Sequence, residues 1–299
     1  MSSAPQNKSL HLRLPATSAN LGPAFDTAAI ALNLHIDITA TLADAFSIDA
    51  TGRDAKACGC LENNLILQIY QRILQENGKA VLPLHLKMHN EIPLGMGCGS
   101  SASARLAGIA LAAHFGELGW SRSRILDVAC QLEGHPDNAA ACWLGGMTVA
   151  AMDGEGAQAQ VRAVQFSIPA AWSVVVVLPS KPLATSVSRS ALPEMYSRTD
   201  ARTNVQYASL LVAAFAQQRG DLLRVAMQDR LHQPYRAAMC PLLPLLAPLA
   251  GQQGVLGVAL SGAGPAVLLI VERTADRERL HSAVQKQVGN VDTVEIVDC

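Results

Sequence analysis

Residues 93–102 read Pro93-Leu94-Gly95-Met96-Gly97-Cys98-Gly99-Ser100-Ser101-Ala102, three alternating glycines followed by two hydroxyls. No other stretch restricts the fold as strongly. Glycine enters positive φ without the Cβ penalty, so this segment can turn tightly and crowd its main-chain N–H groups around one point. Just upstream, Leu84, Leu86 and Met88 alternate with polar residues and predict a strand over 82–88. Downstream, an Ala- and Leu-rich run predicts a helix over 101–114. A strand, a tight loop and a helix in that order aim the positive end of the helix at the loop, which is the construction of a phosphate cradle. A hydroxyl at the helix start can donate to phosphate or bind Mg²⁺. No Lys follows the last glycine, so the pattern is not that of the P-loop NTPases. Taken alone, the same residues also suit a flexible Gly-rich turn capped by Ser100.

The rest of the chain alternates strand and helix signals. With 299 residues, it is long enough for two domains at about 100–200 residues each. A short strand is expected over 11–14, ending at Pro15, and a half-buried strand over 31–41. Helical spacing covers 64–75, with Asn63 or Asn64 as cap, and 123–132, with Ser121 or Ser123 as cap. The continuous apolar run 171–178 predicts a central strand. Helices are expected over 202–220 and 221–231, and Pro241, Pro244 and Pro248 break the next apolar stretch into short turns. Strands are expected over 255–260 and 266–271. Gly154-Glu155-Gly156-Ala157-Gln158 has the most linker-like composition in the middle of the chain.

Composition removes several function classes. Lys+Arg 23 against Asp+Glu 24 gives a net charge of -1, which argues against bulk binding to nucleic acid or an anionic membrane. Residues 1–14 are polar and lack an apolar core, and no apolar run approaches the ~18 residues of a membrane span, so neither a secretory signal nor a span is expected. The seven cysteines are scattered, and Cys58-Gly-Cys60 is too tight for a zinc pair. Reduced, mostly buried thiols in a cytoplasmic protein are the expectation.

Two more loops carry chemistry. Glu133-Gly134-His135-Pro136-Asp137-Asn138, leading to Leu144-Gly145-Gly146, gathers carboxylates, an imidazole and an amide where a helix stops. An ordinary helix stop, with Gly134 as cap and Pro136 as breaker, explains the same residues. Ser261-Gly262-Ala263-Gly264-Pro265 lies between two strands and suits either a close backbone approach to a ligand or a plain tight connection.

Together with the opening Pro15-Ala16-Thr17-Ser18-Ala19-Asn20-Leu21-Gly22-Pro23-Ala24-Phe25-Asp26, these three loops resemble the signature motifs of the GHMP kinases. Within that superfamily the chain is similar to the homoserine kinases, through Ala184-Thr185-Ser186-Val187-Ser188-Arg189 with Leu192-Pro193, and through Gln233-Pro234-Tyr235-Arg236. The similarity runs in order from about His11 to Val271. It departs at Ala24, where the family usually has Gly, and at Met96 and Cys98 inside the glycine loop. Ala24 adds one methyl beside the expected substrate pocket.

The resemblance implies an α+β fold in two parts. Residues 1–165 would form a ribosomal-protein-S5-like N-terminal domain and 166–299 a ferredoxin-like C-terminal domain, with ATP bound between them. It implies phosphoryl transfer from ATP to the side-chain hydroxyl of L-homoserine, in threonine biosynthesis, and allows a homodimer. Other readings are a kinase of the same superfamily acting on threonine or an isoprenoid-pathway alcohol, and a ligand sensor that kept the fold without catalysis. Pro93, Leu94, Gly95, Met96, Gly97, Cys98, Gly99, Ser100 and Ser101 would cradle phosphate. Ser101 and Glu133 would hold Mg²⁺, with Asp127 the second choice of carboxylate. Asn64 is a candidate for the adenine, and as a helix cap it is equally explained. Arg189 and Arg236 suit a carboxylate, Asp26 an ammonium or hydroxyl, and Asn20 and His135 complete the polar shell. Asn138 stands where other superfamily members place an Asp near the acceptor hydroxyl, and an amide takes no proton. Asn20 and Asn138 are thus the residues expected at the reacting atoms. Asp137 is not expected there, because consecutive residues tend to point apart.

Overall fold

The computed structural model describes residues 8–299. Residues 1–7, part of the segment read above as lacking a signal, lie outside the described residues. The chain runs β1 (Ser9–Asn20), β2 (Ala24–Leu42), β3 (Ser47–Gly52), α1 (Ala55–Cys58), α2 (Leu65–Glu76), β4 (Leu84–Asn90), α3 (Ser100–Phe115), α4 (Arg122–Glu133), α5 (Asp137–Leu144), β5 (Met147–Asp153) and β6 (Gln160–Phe166). It continues with β7 (Trp172–Leu178), α6 (Thr185–Ser190), α7 (Arg198–Ala216), α8 (Leu223–Ala226), α9 (Gln233–Arg236), α10 (Leu242–Leu246), β8 (Val255–Leu260), β9 (Val267–Glu272), α11 (Arg277–Val288) and β10 (Glu295–Asp298).

The first sheet orders β3-β4-β2-β5-β6, with β1 paired to β2. β1 does not stop at Pro15, as the sequence suggested. Its pairing with β2 shifts register past Pro15 and continues to Asn20. The proline carries no N–H, so the ladder steps around it. The connection to β2 turns through positive φ at Asn20, Leu21 and Gly22. The segment 154–158 is no linker between domains. It joins β5 to β6, which pair antiparallel from Met147↔Phe166 to Asp153↔Gln160.

The second sheet orders β10-β7-β9-β8, all antiparallel, with helices between β7 and β8 and between β9 and β10. That succession is the split βαβ arrangement of ferredoxin-like domains. The continuous apolar run of β7 follows from burial on both faces. Val174 and Val176, with Leu268 and Ile270, join the core that also holds the first sheet and α2 to α5. Val175 and Val177, with Leu269 and Val271, pack against Leu280, Val284 and Val288 of α11 and Leu242 and Leu246 of α10. The fold is α+β, and one apolar core runs from the first sheet onto one face of the second.

The expected helix over 221–231 is reduced to a 3-10 turn and the single turn α8. The buried carboxylate of Asp229 accepts N–H bonds from Leu231, His232 and Gln233, which turns the chain sharply and starts α9. An Asp side chain that mimics a backbone turn competes with helix continuation. No helix among the described residues is long and apolar enough to cross a membrane. The seven cysteines are all free.

Candidate active site

The glycine loop is held from two sides. Thr17 N donates to Cys98 O at 3.0 Å, and Ser261 Oγ donates to Gly97 O at 2.7 Å. The end of β1 and the β8–β9 turn thus clamp it. Gly97 and Gly99 both sit at positive φ. A Cβ on Gly97 would lie 2.2 Å from the Ser261 carbonyl oxygen, and one on Gly99 would lie 1.9 Å from Thr17 Oγ1. Neither position has room for a side chain. α3 starts at Ser100 with no side chain capping its first N–H groups, and Ser100, Ser101 and Ala102 line the cavity that opens there. Burial pushes the Cys98 thiol up to about 12, so it packs as a protonated apolar group.

A cavity of about 290 Å³ opens on this helix start. Gly95, Gly97, Cys98, Gly99, Ser100 and Ser101 line it, and so do Asn20, Asp26, Glu133, His135, Asn138, Arg189 and Arg236. All the polar residues assigned from sequence to phosphate, metal and substrate meet here, although they come from both halves of the chain. Leu94 and Asn64 instead line a separate cavity of about 210 Å³, which Ser100 also borders. Pro93 and Met96 line neither. Asn64 caps α2, accepting from Leu67 N at 3.3 Å, and donates to the carbonyls of Cys58 and Cys60. Ala24 is buried in the core and does not line the cavity, so its methyl does not touch the pocket expected beside it.

At the loop end, Ser101 Oγ donates to Glu133 Oε1 at 3.2 Å. These two hard oxygens converge from α3 and the end of α4 and suit Mg²⁺. Arg105 shares the corner, with Nη1 2.6 Å from the same Glu133 oxygen and in contact with Ser101 Oγ. Asp127, the second choice of carboxylate, faces away. Its Oδ1 accepts from Val161 N at 2.8 Å, where it fastens β6.

At the opposite end, Arg189 binds Asp26 in a two-pronged pair, Nη2 to Oδ1 at 2.6 Å and Nη1 to Oδ2 at 3.1 Å. Burial works against the Arg189 charge, but the hydrogen bond and charge of Asp26 outweigh it, and its pKa rises. Asp26 itself takes positive φ, fixed by its N–H donating to Asn20 Oδ1 at 2.9 Å. Asn20 spends its other end on the Gly262 carbonyl at 2.9 Å. It ties the β1–β2 turn to the β8–β9 turn.

Arg236 is 1% exposed, and among the described residues it forms no ion pair with a carboxylate. Burial and the positive charge of Arg189 push it below the usual guanidinium value. Its Nε donates to Ser188 O at 3.2 Å, and Nη1 donates to Nδ1 of His232 at 3.0 Å. His232 donates from Nε2 to Gly22 O at 2.7 Å and stacks on Phe25. The ring of Phe25 also carries both guanidiniums, 5.6 Å and 5.5 Å from its centroid. The two cations thus lie against one ring, and of the two Arg189 is the one paired with a carboxylate, an arrangement that favours an incoming anion at Arg236.

Between the ends lie His135, Asp137 and Asn138. Asp137 is 1% exposed and reaches the cavity despite its sequence position. Its Oδ1 is 2.6 Å from His135 Nδ1 and accepts from Asn138 N at 2.7 Å. Burial alone would lower the His135 pKa, but the hydrogen bond and charge of Asp137 raise it. Asn138 Oδ1 accepts from Thr17 Oγ1 at 2.7 Å. Thr17, Arg105, His232 and cavity-lining Thr185 carry site geometry that sequence reasoning missed. Arg105 alone left a local signal, a lone charge inside an apolar helix.

The family description "GHMP kinases N terminal domain" matches residues 64–146, and "GHMP kinases C terminal" matches 211–290. A homoserine kinase of Solibacter usitatus is 44% identical, covering 89% of this chain and 86% of its own. A homoserine kinase of Deinococcus radiodurans is 37% identical, covering 90% and 87%. Among solved structures, homoserine kinase from Cytophaga hutchinsonii has a TM-score of 0.80 at 22% identity, covering 100% of this chain and 96% of its own. Mevalonate kinase of L. major, with R-mevalonate, has a TM-score of 0.68 at 14% identity, covering 100% and 98%. Both structures share the fold.

Proposed function

The chain belongs to the GHMP kinases, and within them to the homoserine kinases; on that premise we propose that it phosphorylates the side-chain hydroxyl of L-homoserine with ATP, a step of threonine biosynthesis. The observation that carries this reading is the cavity itself. It joins a glycine loop and an uncapped helix start to a buried arginine that, among the described residues, has no carboxylate paired with it.

The glycine loop and the first N–H groups of α3 bind the triphosphate. The cavity near Asn64, bordered by Ser100, takes the adenine end. Ser101 and Glu133 hold Mg²⁺, which supplies neutralisation of phosphate charge when bound. Arg236, with Arg189, takes the substrate carboxylate. Asp26 draws the ammonium, and Asn20 holds Asp26 in place. The substrate is thereby fixed at one end, and its hydroxyl reaches toward Asn138 and the phosphate loop.

Transfer forms a bond from the hydroxyl oxygen to the terminal phosphorus and breaks the bond from that phosphorus to the ADP oxygen. Asn138 orients the hydroxyl without accepting its proton, because an amide is not basic near neutral pH; its oxygen accepts a hydrogen bond from the Thr17 hydroxyl. The proton leaves with the transferred phosphate. A loose transition state needs little base assistance, and positioning with charge neutralisation supplies most of the catalysis.

The test is ADP release with homoserine, threonine, serine and mevalonate as acceptors. We expect homoserine to be preferred. A preference for threonine or mevalonate assigns the cavity to another acceptor, and no acceptor-dependent turnover makes the chain a sensor.

A further inference from the structure

We propose that Arg105 is a phosphate-binding residue, a cation that the chain itself supplies to the β- and γ-phosphates of the nucleotide. The inference rests on the ATP site proposed above. α3 contains one Asp, Glu, Lys or Arg residue in its whole length, and that residue is Arg105. It stands one turn after Ser101, and helical side chains lean toward the N-terminus, so Arg105 lies over the turn that opens on the phosphate loop. It lines the cavity there.

The charge balance gives this position its meaning. A nucleoside triphosphate brings about four negative charges, and a divalent metal with a helix dipole offsets part of them. The other arginines lining the cavity, Arg189 and Arg236, are held at the far end by Asp26, His232 and Phe25. Among the described residues, Arg105 is therefore the one Lys or Arg at the loop end of this cavity. Its guanidinium bonds Glu133 and Ser101, the two oxygens suited to the metal. That contact keeps the guanidinium beside the start of α3, where phosphate oxygens docked on the loop come within its reach with or without a divalent cation. A planar fork suits such oxygens.

Calorimetric binding of ATP and of AMP in EDTA, without metal, tests this for wild type, Arg105→Met and Arg105→Gln. AMP lacks the β- and γ-phosphates and reports on the rest of the site. We expect both variants to weaken metal-free ATP binding at least about tenfold while AMP binding stays within about twofold of wild type. Unchanged ATP affinity in the variants overturns the inference. Equal loss of ATP and AMP in both variants also overturns it, since contact with the outer phosphates cannot produce that result. A wild-type chain that binds no ATP in EDTA and none after Mg²⁺ is added overturns the nucleotide site itself, and that failure is distinguishable from the other two.

Discussion

The hydroxyl of Thr17 donates to Oδ1 of Asn138 at 2.7 Å, across 121 positions of sequence. The bond fixes which end of the amide faces the cavity. Asn138 Nδ2 lies 3.3 Å from Asp137 Oδ1, so one of its two N–H groups is left as a donor.

Asn138→Asp therefore adds a carboxylate that Thr17 still binds, close to the transferred phosphate, where like charges repel. We expect kcat equal to or below wild type at saturating ATP and Mg²⁺. A rise in kcat would show that the reaction uses a base at this position.

Glu133→Gln keeps the shape of the metal corner and removes its charge. Turnover should fall at least about 100-fold, on the order of 3 kcal/mol, with the circular dichroism spectrum unchanged. Near-normal turnover at limiting Mg²⁺ would remove Glu133 from the metal site. Asp127 is no substitute, because its carboxylate is committed to β6.

Arg236→Lys keeps the charge and loses the fork. The KM for homoserine should rise about tenfold or more while the KM for ATP stays nearly constant. A loss confined to ATP would place Arg236 in the nucleotide site.

His232 connects stability to pH. Burial pushes its pKa below the ordinary 6.5, the charge of Asp229 opposes this, and the charge of Arg236 adds to it. Above about pH 6.5 neither the folded nor the unfolded chain protonates it, and its contribution to stability is complete. As pH falls below that value, the unfolded chain takes up the proton first, and stability is lost until the folded pKa is reached. Urea unfolding at pH 7.5 and 5.5 should show a larger loss for wild type than for His232→Gln. Equal losses would mean that His232 is not held neutral.

The sequence carried the local features of this fold and few of its long-range ones. The helix capped by Asn64 and the doubly buried strand of Val174 to Val177 were legible because spacing and composition are local. Asp229 was not, since a side chain that accepts three backbone N–H groups looks like any helical Asp in one dimension. Hairpin β5–β6 was hidden by glycines that resemble a linker. At the site, the motifs located Asp26, Glu133 and Arg236, whereas the partners that aim them, such as His232 on Arg236, emerge only once distant segments meet.

Recognition of an amino acid at the Arg236 end is tested most directly by ADP release on two acceptors, L-homoserine and 3-amino-1-propanol. The second has the same alcohol and amine and lacks the carboxylate. It would leave a buried guanidinium without its anion. We expect kcat/KM to fall at least about 1000-fold, on the order of 4 kcal/mol. Comparable kcat/KM values for the two acceptors would contradict the assignment.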